Sequence, residues 1–125
     1  MKHLLHLLLI TALQGVTHFA LNWWIALCIP IAFIAWKARG YSSAWWWAVA
    51  STVLSWCGLF ALNFIMAGEA VSRMIPMLAG LMRAPAFVLP LVSVAFAAWV
   101  GLLAGLVGIG LRGLMMSNGA ASSKV

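Results

Sequence analysis

Five residues near the N-terminus have the types and the spacing to form one polar face. Thr11, Gln14, Gly15, His18 and Asn22 fall at steps of three, one, three and four. A helix gathers that spacing on one side. Their neighbours are almost all apolar, and a polar stripe on an apolar helix is costly unless it meets protein, water or a bound group. Two chemistries follow. As a path, the stripe would carry protons or solutes, with His18 as the carrier or ligand. As glue, Thr11, Gln14, His18 and Asn22 would hydrogen-bond to a neighbouring helix. Glue is the favoured reading, because the only acidic residue of the chain, Glu69, is remote in sequence and no carboxylate lies near to tune His18.

Other chemistry-bearing residues are sparse. His3 and His6 share a face at i and i+3, which suits a surface metal or a haem ligand, but no thiol or carboxylate is near them in sequence. Headgroup contact is the reading preferred for them. Cys28 and Cys57 lie in apolar runs with no CxxC or Cys/His spacing, and are expected to be small buried residues. No acid/base pair, nucleophile motif or phosphate loop is recognisable, so no catalytic residue, metal site or cofactor is assigned.

Composition sets the class. The chain has 125 residues, of which 66% are apolar and 6% charged, with a net charge of +6. Its mean hydropathy is +1.13. So few charges cannot clothe a soluble domain of this size. The seven Lys and Arg stand singly at the ends of apolar runs, not in a basic stripe. That pattern marks membrane topology rather than nucleic-acid binding.

The stripe must then ride on a membrane helix. The expected fold is an all-α membrane protein with four transmembrane helices and a short interfacial amphipathic segment between the third and fourth. The first span covers about 4–21 and the second about 23–37, joined by a tight hairpin and with a kink at Pro30. The uncharged stretch between Lys2 and Lys37 is barely long enough for two spans of about 20 residues. No clean cleavage site follows the first apolar run, so it is read as a retained span rather than a signal peptide. The third span runs over 43–66 and the fourth from Pro85 to about 111. Residues 1–114 form one polytopic domain, and 115–125 a flexible cytoplasmic tail.

Tryptophan, glycine and arginine mark the surfaces of these helices. Trp23, Trp24, Trp36, Trp45, Trp46 and Trp47 fall near predicted interfaces and read as anchors. Trp56 and Trp99 lie deeper, where their N–H groups need acceptors. Ala97, Gly101, Gly105 and Gly108 form a small-residue row on the fourth span, suited to close helix packing against a partner that the sequence does not name. In the 67–84 segment, Glu69, Ser72, Arg73, Pro76, Gly80 and Arg83 recur every three or four residues opposite Met and Leu positions. That is the pattern of a surface helix, which Pro76 would split into two turns, with Glu69 and Arg73 paired at i, i+4 and with Arg73 and Arg83 in contact with lipid headgroups.

The charge bias orients the chain. Lys37, Arg39, Arg112 and Lys124 mark the cytoplasmic side, and four spans place both termini there; if residues 3–36 span only once, the N-terminus alone moves outside. The arrangement Lys2…Asn22-Trp23-Trp24, the Trp-rich third segment and the Gly-rich end 101–113 resembles a group of small four-helix bacterial inner-membrane proteins of unassigned function. That resemblance implies the four-helix fold and no activity. Small multidrug transporters share the size but need an embedded glutamate in the first helix, where this chain has Gln14. The glycine–arginine signature of fluoride channels is not recognisable either.

The expected function is therefore a non-catalytic accessory or structural subunit. Its partners would be the lipid bilayer and a larger membrane complex or further copies of itself, with no nucleic acid. The alternatives are a small homo-oligomeric transporter or channel using the stripe, and a pigment- or haem-binding subunit using a histidine.

Overall fold

The computed structural model describes residues 2–37 and 41–122, with side chains left out at 2, 3, 23, 41 and 118–122. Among these residues the structure is all helical. The elements are α1 (Lys2–Ala20), α2 (Trp23–Ala26), α3 (Cys28–Lys37), α4 (Tyr41–Leu81) and α5 (Val88–Ser122).

The contacts give the directions. Gln14, Gly15 and His18 of α1 meet Thr52, Ser55 and Trp56 of α4, so these two helices run parallel. On α5, Gly101 faces Ala48 and Thr52, while Gly105 faces Ala44 and Ala48, so α5 runs antiparallel to α4. Gly108 and Arg112 of α5 meet Ile34 and Trp36 in order, so α3 and α5 run together. The result is an up-down bundle centred on α4 and α5.

Small residues fill its interior. Ala26, Ala44, Ala48, Ala97 and Ala104 are buried, with Ile10, Ile34 and Val100 among the few larger apolar side chains there. Most Leu, Phe, Met and Trp side chains point outward.

Local sequence explains the breaks. The turn at Leu27 precedes Pro30 by three residues. Proline has no N–H for the carbonyl of Ala26, so the helix opens one turn before it. The expected kink at Pro30 is thus expressed at Leu27, and Pro30 itself lies in the first turn of α3. Asn22 is extended ahead of α2 (φ −167°, ψ 151°), and its side chain makes no capping bond.

The expected boundary between the third span and the amphipathic segment appears as non-helical backbone at Ala67 (φ −134°, ψ 34°). Helix resumes beyond it and passes through Pro76 to Leu81. It ends in a Schellman motif: Arg83 N–H donates to the Gly80 carbonyl at 3.2 Å and Ala84 N–H to the Ala79 carbonyl at 2.9 Å. Arg83 takes the left-handed residue of this motif (φ 52°), a place glycine usually fills, and Pro85 follows.

One boundary is revised. α5 does not stop near Leu111 but continues to Ser122, so most of 115–125 is helical; residues 123–125 lie outside the described set. No proline intervenes there, and Gly113 and the Asn118-Gly119 pair, which lower helix propensity, do not break the helix. Of the four spans expected, two have the length and apolarity to cross a membrane, Ser42–Leu81 and Val88–Ser117. Leu4–Ala20 and Trp24–Lys37 are shorter apolar helices.

Candidate functional site

The α1 stripe is turned inward onto α4. Gln14 is only 1% exposed, and its Nε2 donates to Thr52 Oγ1 at 3.2 Å. Gly15 lies against Ser55, whose Oγ is 3.6 Å from where a Cβ on residue 15 would sit. His18 packs edge-on to Trp56 with ring centroids 5.6 Å apart, and Trp56 in turn meets Phe96 of α5 at 6.0 Å. Thr11 Oγ1, Gln14 Oε1 and Ser55 Oγ are buried with no hydrogen-bond partner. Asn22 does not join this set; it is exposed beyond the end of α1.

The residues that complete the site come from α4. Ser51, Thr52 and Ser55 are all buried, and Ser51 Oγ donates to the Ala48 carbonyl of its own helix at 3.2 Å. Sequence reading missed them. The signal was present, since positions 51, 52 and 55 share a helix face by the same spacing that exposed the α1 stripe.

The glycine row has two partners. A Cβ on Gly101 would lie 2.9 Å from both the Ala48 carbonyl oxygen and the Val49 Cα. One on Gly105 would lie 3.2 Å from Ala48 Cβ. These two face α4, while Gly108 faces α3, where Ile34 Cγ2 would be 2.8 Å away. Ala97 is fully buried on the same helix.

Basic groups gather at one end of the bundle. Lys37 Nζ donates to His6 Nε2 at 2.6 Å and lies over the Phe33 and Trp36 rings. Arg112 donates to the carbonyls of Trp36 at 2.9 Å and Ala35 at 3.4 Å. These are last-turn carbonyls of α3, which need donors and carry the negative end of the helix dipole. Arg112 therefore ties α5 to α3, a role beyond the topology signal read from sequence. Trp36, Trp45 and Trp46 are exposed, and Trp47 packs on Phe33 at 5.8 Å. Trp24 is exposed at the opposite end; the Trp23 side chain, Arg39 and Lys124 lie outside the described set. Arg73 pairs with Glu69 on the exposed face of α4, and Arg83 is exposed in the turn that follows.

Trp99 is 62% exposed, so only Trp56 of the two deeper tryptophans is packed between helices. Cys28 and Cys57 are free and exposed, against expectation. Each lines an apolar cleft rather than the core. Cys57 lies with Phe60 and Pro90 in one of about 390 Å³ between α4 and α5, and Cys28 with Leu13 and Ile25 in one of about 530 Å³ between α1 and the α2–α3 pair. Small buried places in this bundle are taken by alanine and glycine instead.

No protein-family model, curated protein or solved structure matches the chain.

Proposed function

We propose that this chain is a small multi-pass protein of the bacterial inner membrane, with both termini cytoplasmic, serving as a non-catalytic accessory or structural subunit of a larger membrane complex. The observation that carries this reading is the closure of the polar stripe. Gln14 is spent on Thr52 inside the bundle rather than on a lumen, which suits glue more than a path. The membrane part of the proposal is supported by the apolar windows of the two long helices, of which only 17% and 33% are buried. A core helix of a soluble protein would be mostly buried. α1 is about 28 Å long, close to a hydrocarbon core of about 30 Å. The α2–α3 pair is shorter and would require local thinning of the bilayer. Lys37 and Arg112 share one end of the bundle, while Arg73 and Arg83 lie beyond the opposite end of the first limb of α4, in accord with a cytoplasmic side at the former.

Mild detergent extraction followed by size analysis tests this. The expected result is a stoichiometric larger partner, with reporter fusions reading cytoplasm after Arg39 and outside near Gly80. The second reading, a homo-oligomeric transporter or channel, is favoured by the three unpartnered polar atoms of the α1–α4 seam. Solute or proton flux through a purified homo-oligomer, abolished by His18→Leu in a protein that stays folded, would replace the first reading with the second.

A further inference from the structure

We infer that the α1–α4 seam binds one water molecule beside Gly15, held by Gln14 Oε1 and the hydroxyls of Thr11 and Ser55. Three observations converge. All three oxygens are buried and unpartnered; Thr11 and Gln14 lie one turn apart on α1, and Ser55 faces Gly15 from α4. Burying such groups unpaired is costly, and native interiors resolve it with ordered water, typically through about three hydrogen bonds. Gly15 supplies the room. Apart from its own turn and chain neighbours, the one atom within 4 Å of its Cβ direction is Ser55 Oγ, at 3.6 Å. Alanine would fit there without strain and is the better helix former.

The hydrogen-bonding inventory fits water rather than an ion. Gln14 Oε1 only accepts, because Nε2 of the same amide already serves Thr52. Each hydroxyl can donate or accept. A water donating to Gln14 Oε1 and to one hydroxyl, and accepting from the other, gives each of the three oxygens a partner. A cation would meet three neutral oxygens with no carboxylate, since Glu69 is the only acidic residue and lies on the exposed face of α4. An uncompensated charge buried here would be far more costly than a neutral ligand.

Gly15→Ala distinguishes the outcomes by sign. With water bound, the methyl displaces it and strands Gln14 Oε1 and Ser55 Oγ, so the variant is less stable than wild type in detergent despite its better helix propensity. With a dry seam, the methyl fills space and raises stability, which would overturn the proposal. A second measurement does not depend on folding energetics. Gln14 is the only glutamine of the chain, so ¹⁵N-glutamine labelling gives a single side-chain amide. That amide is expected to show a long-lived water cross-peak in wild-type protein and to lose it in Gly15→Ala. No cross-peak in folded wild type would sink the idea and leave the accessory-subunit proposal untouched, since a dry seam is still glue.

Discussion

The α4–α5 seam and the α1–α4 seam hold the same bundle together by opposite chemistries. On α5, Gly101 and Gly105 bring the backbone onto Ala48, and the contact is van der Waals at close range. On α1, Gln14 reaches Thr52 with a hydrogen bond, and three polar atoms beside it go unpaired by protein. At Gly101 the first seam has no tolerance for added volume. The second has room and unspent polarity. Where large apolar side chains face outward, burial of bulk cannot drive the helices together, so close approach and interhelical hydrogen bonds must do so. The contrast teaches that α4–α5 is the closely packed centre of the bundle and α1 an attachment held by polar contacts.

The largest test of that contrast is Gly101→Leu. Its Cβ would collide with backbone, the Ala48 oxygen and Val49 Cα, and backbone cannot turn aside as a side chain can. We expect a loss of about 3 kcal/mol or more, read as unfolding or loss of assembly in mild detergent. Gly105→Ala meets Ala48 Cβ at 3.2 Å, with its backbone contacts at 3.5 Å or more, and should cost about 1 kcal/mol. Gly110, with nothing within 4 Å of its Cβ direction, is the control, and Gly110→Ala should be neutral or gain up to about 1 kcal/mol from helix propensity. Equal effects at 101 and 110 would mean that the seam is not tight.

The polar seam should respond less. Gln14→Leu keeps the volume and removes the bond to Thr52, for an expected loss of about 0.5–2 kcal/mol. A double-mutant cycle with Thr52→Val isolates the pair, and a coupling of about 0.6 kcal/mol, at most about 1.7, is expected. Strict additivity of the two single changes would remove the hydrogen bond from the account of how α1 is attached.

Much of this contrast was legible in sequence, and what was not has physical causes. The steps of three and four among Thr11, Gln14, Gly15 and His18 showed the face, and the Gly101–Gly105 row showed close packing, because helical periodicity acts within one segment. Which helix each face meets is a property of tertiary direction. Nothing local tells that Gly101 finds α4 while Gly108, two turns on, finds α3. The break at Ala67 followed from the composition change at that point, whereas the run of helix through Pro76 did not, since proline there argues for a stop. Cys28 and Cys57 misled because the ordinary rule, small and apolar means buried, assumes a core built from bulk. In this bundle an outward place suits a cysteine as well as a leucine.

The smallest expected effect separates the hydroxyls of α4. Ser51 is fully buried, yet its Oγ donates to the Ala48 carbonyl of its own turn and takes no part in the link to α1. Ser51→Ala removes a back-bond that does little for a helix, leaves the carbonyl with its helical partner, and introduces a better helix former. Its stability should stay within about 0.5 kcal/mol of wild type. Thr52→Ala, one residue on, strands the Gln14 amide and should cost about 1–3 kcal/mol by the same denaturation assay. Two adjacent buried hydroxyls would then differ in worth through what lies across the seam, together with the buried methyl that Thr52→Ala also removes. If Ser51→Ala proves as damaging as Thr52→Ala, the hydroxyl face of α4 matters as packing volume, and the distinction between a polar seam and a close-packed one would fail.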